Sequence, residues 1–358
     1  MLCMGRGACP ARVQWLHFLE SKMASPFEIQ VTAIGGPEVL QSRSIDIPTP
    51  APHQVVLAHT AIGVNFVDIY LRAGQAHSHN PQPPFVPGIN AVGEIVALGS
   101  QVKDLQLGQK LTYTNAGVGS YSTHVAVSAE RLIPVPPDVD DVRVAAGLVR
   151  ALTCQYLLKQ MRQLEPGTRV LVHAAAGGVG QILVQWAKRL GLVVLATAGS
   201  DSKVQTALAL GADFAINYRS EDFVSEVKRI TQGQGVSVVF DSVGKDTFDG
   251  SLKCLEPKGL VVNFGTASGQ VEGFALQDLH SQSLWVCRPT LRTYIANRAD
   301  MLAMSVEAFG ILGDPTIRLD IDTLLPLSQA SEAHRLLESR TTQGAIVLIP
   351  DALMNLQE

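Results

Sequence analysis

Several things are missing from this sequence, and each absence removes a class of function. Its 358 residues include five cysteines, Cys3, Cys9, Cys154, Cys254 and Cys287, with no Cys-x-x-Cys and no paired spacing. That excludes a disulfide framework and a thiolate-based structural zinc site, and it suits a reducing compartment, so a cytoplasmic location is expected. No apolar run approaches the roughly 18 residues needed to span a bilayer. Positive charge is not in excess: 28 Lys and Arg face 32 Asp and Glu, for a net charge of −4, which argues against a broad nucleic-acid face. Aromatic residues are only 6% of the chain, and no stripe of alternating aromatic and basic residues offers a base-stacking surface. Internal repeats and low-complexity tracts are also absent.

The most informative feature that is present runs from His173 to Lys188. Arg169-Val170-Leu171-Val172 reads as a short buried strand. Val179, Ile182, Leu183, Trp186 and Leu190 recur at helical spacing. Between them lies Ala175-x-Gly177-x-x-Gly180, the dinucleotide fingerprint with alanine in its first slot. Gly177 lets the backbone approach a pyrophosphate, and Gly180 lets the helix pack closely on the strand. Backbone N–H groups at such a helix N-terminus attract phosphate through orphan donors and the positive end of the helix dipole. Ala175, Ala176, Gly177, Gly178, Val179 and Gly180 are therefore candidate cofactor-binding residues.

Further apolar runs follow at 192–197, 213–218, 236–241, 260–264 and 284–287, alternating with helical segments. That alternation implies a parallel sheet of six strands with helices on both faces. Ligands of such sheets sit beyond the carboxyl ends of the strands. Thr197, Tyr218, Asp241, Ser242, Phe264 and Arg288 end those strands and are site candidates. Residues 24–149 show short apolar runs broken by Gly, Pro and Asn, the look of β-rich structure. After residue 290 come a helix over 299–312 and a strand-like ending at 344–350. The expected organisation is a β-rich catalytic domain of 24–149 with 291–358, and a dinucleotide-binding domain of 150–290. The segment 80–84, Asn-Pro-Gln-Pro-Pro, reads as an exposed loop. The first 22 residues carry Arg6 and Arg12 with no acid before Glu20, a bias shared with transit peptides. Met23 offers a simpler reading, a natural start, so residues 1–23 are expected to be a disordered N-terminal extension.

Longer matches now matter: Gly35-Gly36-Pro37-Glu38-Val39-Leu40, Gly63 to Gly74, Ile216 to Arg219, Phe240 to Gly244, and Glu338 to Gly344. With the Ala-Ala-Gly-Gly-x-Gly-x4-Gln-x2-Lys pattern met by Ala175 to Lys188, they resemble the zeta-crystallin type of NADPH-dependent quinone oxidoreductase. This is a zinc-free branch of the medium-chain dehydrogenase/reductase superfamily, and the likeness runs from about Phe27 to Pro350. It implies an α/β protein with a GroES-like β-rich catalytic domain plus a doubly wound Rossmann domain, NADPH in the cleft between them, and a homodimer. Zinc-dependent relatives in that superfamily place Cys where this chain has Asn65 and Gly-His-Glu where it has Gly88-Ile89-Asn90. Ile89 cannot bind metal and Asn90 is a poor ligand, so no zinc is expected. His77 and His79, two apart in a loop, are read as solvated rather than metal-binding.

A quinone is electrophilic enough to take a hydride without a Lewis acid, so the protein's task is to align donor and acceptor and exclude water. A polar group near the accepting oxygen would stabilise developing charge. Tyr70 and Asn65 are the candidates, placed five apart on an expected helix. Capping and packing are the alternative readings. NAD binders of this fold usually carry an acid at the end of the second strand. Here Thr197-Ala198-Gly199-Ser200 follows, and the resemblance gives the cofactor's 2′-phosphate to Lys203 with Tyr218. It likewise implies cofactor contacts for Asn65, Tyr156, Thr197, Gly199, Ser200, Ser242, Phe264, Arg288 and Arg340. The chain departs from its relatives at Asn90, where an acid is usual, and at Arg150, where Lys is usual. Asn90 puts any proton relay through that acid in doubt. The leading expectation is an NADPH:quinone reductase. The alternatives are an enoyl or alkenal C=C reductase and, outside enzymology, an RNA-binding or crystallin-like structural protein.

Overall fold

The computed structural model describes residues 25–75, 81–339, 342 and 344–354. The expected extension 1–23, His77, His79 and Arg340 lie outside the described residues, as does Asn80, the first residue of the proline-rich loop. In chain order the first elements are β1 (Phe27–Val31), β2 (Leu40–Ser44), β3 (Gln54–Gly63), α1 (Phe66–Arg72), β4 (Asn90–Leu98) and β5 (Lys110–Thr114). Next come β6 (His124–Ser128), β7 (Leu132–Pro134), α2 (Asp141–Lys159), β8 (Arg169–Val172), α3 (Gly178–Arg189) and β9 (Val193–Ala198). Then follow α4 (Asp201–Ala209), β10 (Phe214–Asn217), α5 (Phe223–Ile230), β11 (Val236–Asp241), α6 (Phe248–Cys254), β12 (Leu255–Asn263) and β13 (Trp285–Cys287). The chain ends with α7 (Leu291–Tyr294), α8 (Arg298–Leu312), β14 (Ile321–Pro326), α9 (Ala330–Ser339), β15 (Ala345–Ile349) and α10 (Asp351–Met354).

The elements divide into two compact units, residues 1–146 with 321–358, and residues 147–320. In the second unit the strands run in the order β10-β9-β8-β11-β12-β13, every pair parallel. All six residues of β11 are buried, including Phe240 at 0% exposure, because helices cover both faces of a parallel sheet. The order reverses at β8, which lies between β9 and β11, so their carboxyl ends open side by side.

The first unit is mostly antiparallel. Its main sheet follows β14-β15-β3-β4-β5-β7, with β6 also pairing β3, and β1 pairs β2 separately. The long strand β3 is central to it, bonding β4, β6 and β15. Its core gathers Val55, Leu57, Ile62, Ile95, Leu111 and Leu348 beneath α1 and α9 residues Ile69 and Leu337.

Two boundaries differ from the sequence reading, since the second unit begins at residue 147 rather than 150 and runs to 320 rather than 290. Residues 291–320 were assigned to the β-rich domain, but they belong to the second unit. The cause is packing of α8 and the irregular segment after it. A Cβ on Gly147 would lie 2.3 Å from Leu312 and 3.0 Å from Leu319. Gln185 of α3 donates to the Arg318 carbonyl and accepts from the Arg318 N–H, both at 2.8 Å.

Truncating Phe240 to alanine leaves a cavity in the buried sheet, so Phe240→Ala is expected to cost about 3–5 kcal/mol in denaturant titration. The exposed Val306→Ala on α8, where Val306 is 73% exposed, should stay within about 0.5 kcal/mol of wild type. Equal effects would show that β11 is not the core strand described.

Candidate active and cofactor site

The turn after β8 is built from contacts that dictate its small residues. His173 is buried, bridging Thr197 Oγ1 at 2.8 Å and Ser251 Oγ at 3.0 Å, and burial pushes its ring pKa down. Ala174 takes a left-handed φ of 51°, and the chain then doubles back. The N–H of Ala175 donates to Thr197 O at 3.0 Å, and that of Gly177 to Ala174 O at 2.8 Å. Gly177 caps α3 with extended backbone and no side-chain cap. The first-turn N–H groups of Gly178, Val179 and Gly180 have no carbonyl one helical turn back to receive them. A Cβ on Gly180 would sit 2.4 Å from Ala174 O and 2.7 Å from Ala175 O, so only glycine lets α3 start this close to the strand end. Exposed Gly177 at an uncapped helix start fits an anionic group such as a diphosphate. Ala175 and Ala176, by contrast, are buried parts of the turn.

At the end of β9 a second cluster forms. Ser200 caps α4, its Oγ accepting from the Lys203 N–H at 3.4 Å. Asp201, the first carboxylate after the strand, is held by Asn217 Nδ2 at 2.6 Å. A Cβ on Gly199 would lie 2.7 Å from the Tyr218 hydroxyl and 3.7 Å from Arg219 Nε. Gly199, Ser200 and Tyr218 thus come together at adjacent strand ends, with Lys203 in the first turn of α4. Arg219 joins them without having been singled out. Its signal was a basic residue directly after Asn217-Tyr218. Thr197 sits apart, fully buried, with its hydroxyl bonded to His173.

The remaining strand ends are shaped by Asp241. Its Oδ1 accepts from the Val243 N–H at 2.8 Å, the Gly244 N–H at 3.0 Å and the Thr247 hydroxyl at 2.9 Å. Ser242 is half-buried above this turn, and Phe264 donates its N–H to Asp241 O at 2.8 Å. Arg288 reaches back to Asn263 O at 2.8 Å from the end of β13. Tyr156 is placed differently. It is buried and stacks on Tyr294 with ring centres 4.4 Å apart and planes 6° from parallel.

In the first unit, Asn65 is not on the helix with Tyr70, as the sequence reading had it. It is the N-cap of α1, in extended conformation, so the helical angle between the two residues does not apply. Its N–H donates to Asp68 Oδ2 at 2.8 Å, and its Nδ2 donates to Asn90 Oδ1 at 2.7 Å. Asn90, fully buried, donates its own Nδ2 to Ala145 O at 2.9 Å. That last bond fixes the orientation of both amides. Tyr70 is half-buried, its ring 6.4 Å from that of Phe66.

Beneath Asn65 runs a buried polar chain that sequence reasoning missed. Tyr121 donates to Asp68 Oδ2 at 3.3 Å and shares a hydrogen bond with His334 Nε2 at 3.0 Å. Arg72 Nη1 meets His334 Nδ1 at 3.1 Å and pairs with the Glu338 carboxylate. Burial pushes the Asp68 carboxyl up to about 7, against the lowering effect of the Asn65 N–H and the Tyr121 hydroxyl. Burial also pushes His334 down to about 3, with Arg72 adding to the shift. Asp68 and Arg72 lie in the quoted Gly63 to Gly74 stretch, but their partners are too distant in sequence for spacing to reveal. Among the described residues no three His, Cys, Asp or Glu side chains are grouped to hold a metal.

A carboxyl whose folded pKa exceeds its unfolded value of about 3.9 binds its proton more tightly when folded. The stabilising contribution of Asp68 is complete below about pH 4 and is lost as pH rises through about 7. Asp68→Asn removes this ionisation, so wild type should lose stability relative to the variant as pH climbs from 4 to 8, read by thermal melts. Parallel curves would contradict the burial of an ionisable Asp68.

Comparison with known proteins follows the same division. Residues 51–137 match the alcohol dehydrogenase GroES-like domain, and residues 178–307 match the zinc-binding dehydrogenase family. The chain is 41% identical over 322 residues to quinone oxidoreductase 1 of Escherichia coli, covering 88% of this chain and 97% of that protein. It is 40% identical over 323 residues to a 2-haloacrylate reductase of a Burkholderia species, covering 89% and 97%. A solved structure of Escherichia coli quinone oxidoreductase complexed with NADPH superimposes with a TM-score of 0.86 at 40% identity, covering 90% of this chain and 100% of that one.

Proposed function

The chain belongs to the quinone oxidoreductase family, with an alcohol dehydrogenase GroES-like domain and a zinc-binding dehydrogenase domain, and we propose that it reduces quinones or related conjugated carbonyls with NADPH. The observation that carries this reading is the uncapped start of α3, pressed onto the β8 turn through Gly180. Gly178 to Gly180 would hold the diphosphate on first-turn N–H groups, with Ala175, Ala176 and Gly177 shaping the turn. Lys203, Ser200 and Tyr218 around Gly199 would hold the 2′-phosphate, with Arg219 adding positive charge. Thr197 acts from behind by fixing His173. Ser242, Phe264, Arg288 and Arg340 are proposed at the ribose, nicotinamide and phosphates, and Tyr156 as a packing residue near them.

When bound, NADPH supplies the hydride for the acceptor. The chain's own residues orient the reactants, exclude water and meet the charge that develops on the acceptor oxygen. The Asn90 bond to Ala145 O turns the Asn65 amide so that its N–H is engaged and its carbonyl oxygen is left to accept. Asn65 is therefore proposed to accept from a cofactor N–H or O–H, and Tyr70 to offer its hydroxyl as donor to the acceptor. The reaction is proposed to be zinc-independent, because the amide pair of Asn65 and Asn90 and the aliphatic Ile89 stand where zinc-dependent relatives place ligands. A homodimer is also proposed, supported by the edge strand β13 with Trp285 66% exposed. So is a cytoplasmic site of action, supported by free Cys154, Cys254 and Cys287 and by the lack, among the described residues, of a helix able to cross a membrane.

The likeness to a 2-haloacrylate reductase favours one second reading, reduction of an activated C=C bond. NADPH oxidation with a naphthoquinone and with an α,β-unsaturated acid or aldehyde separates the two. A kcat/KM at least tenfold higher for the quinone supports the first reading, and the reverse order supports the second. Lys203→Ala, which removes one charge-assisted hydrogen bond, should weaken NADPH binding about 10- to 150-fold and leave NADH nearly unchanged in titration calorimetry. Equal weakening of both cofactors would remove Lys203 from the 2′-phosphate.

A further inference from the structure

Gly178 occupies an unspecified position of the dinucleotide fingerprint, yet its missing side chain makes room for a neighbour. A Cβ there would lie 2.7 Å from Arg150 Cζ, 2.9 Å from Nε and 3.0 Å from Nη1. The guanidinium of Arg150, from α2 in the same unit, therefore lies flat against the first residue of α3. Its Nη1 is buried without a hydrogen-bond partner, and no ion pair among the described residues includes Arg150.

That placement is electrostatically adverse as it stands. A helix N-terminus carries partial positive charge and favours anions, so a cation there is repelled rather than held. Desolvation adds to the cost, pushing the guanidinium down to about 10 against the opposing influence of Cys154. A half-buried guanidinium whose buried Nη1 is an idle donor, set beside uncapped backbone N–H groups, is suited to an anion that accepts from both.

We propose that Arg150 is a cofactor-binding residue, its guanidinium donating to the diphosphate from beneath while the N–H groups of Gly178 to Gly180 donate from the helix start. This rests on the reading of the loop as an NADPH site and deepens it: the diphosphate is gripped by a side-chain cation as well as by backbone. Gly178 is glycine because that cation needs the space.

The test separates the two ends of the cofactor in binding experiments on the full chain, without turnover. ADP-ribose carries the diphosphate and no 2′-phosphate, whereas adenosine 2′-phosphate carries the reverse. Arg150→Gln should weaken ADP-ribose, NADH and NADPH alike, by about 10- to 100-fold. Adenosine 2′-phosphate should stay within twofold, and Arg150→Lys should recover part of the loss. Gly178→Ala, which keeps the charge but pushes the guanidinium away, should reproduce the pattern and carries the test if Arg150→Gln fails to fold. ADP-ribose binding at wild-type strength in Arg150→Gln overturns the proposal, as does equal weakening of ADP-ribose and adenosine 2′-phosphate. Failure of the wild-type chain to bind NADPH or ADP-ribose would instead overturn the underlying reading of the loop.

Discussion

A Cβ on Gly180 would stand 2.4 Å from the carbonyl oxygen of Ala174, and the geometry of the second unit follows from the close approach this permits. With no side chain in the way, α3 begins directly over the end of β8, and its first-turn N–H groups face outward with no cap. Ala174 accepts a left-handed backbone to make the turn, a conformation that costs an alanine roughly 1–2 kcal/mol. The neighbours enforce it: Thr197 O takes the Ala175 N–H, and His173 ties β8 to Thr197 and to Ser251 of α6. Because β8 lies where the strand order reverses, the ends of β9 and β11 flank the turn and bring Ser200 and Ser242 to its two sides.

The first unit solves a different problem, how to hold a half-buried amide in one orientation. Asn65 is fixed three ways, through its own N–H to Asp68, through its amide to Asn90, and through Asn90 to the backbone of Ala145. Asp68 in turn is braced by Tyr121, Tyr121 by His334, and His334 by Arg72. Burying so many polar groups is costly, the more so because Asp68 Oδ1 has no partner, and the chain of contacts ends on Glu338, 35% exposed, which brings the Arg72 charge a counterion near solvent.

Much of this was legible in the sequence because it is local. The β8 turn and α3 declare themselves within sixteen residues, and each later strand of the parallel sheet is a self-contained apolar run. The segment 291–320 was misassigned because a helix with apolar residues on several sides reveals that it is buried but not against what. Asn65 was placed on a helix because its neighbours have helical spacing, and the alternative reading, an asparagine capping such a run, is the one found. The buried chain under Asn65 was invisible for a stronger reason: Tyr121 and His334 are 213 residues apart and Arg72 and His334 are 262 apart. Arg150 was noticed only as a departure from relatives. Its meaning needed the space above Gly178, which spacing does not report.

The most direct measurement of the central claim is a crystal structure of the chain soaked in NADPH. The diphosphate is predicted on the backbone N–H groups of Gly178 to Gly180, with the adenosine 2′-phosphate near Lys203 and Tyr218. Density for the diphosphate elsewhere, or a loop that stays empty at saturating cofactor, would contradict the account.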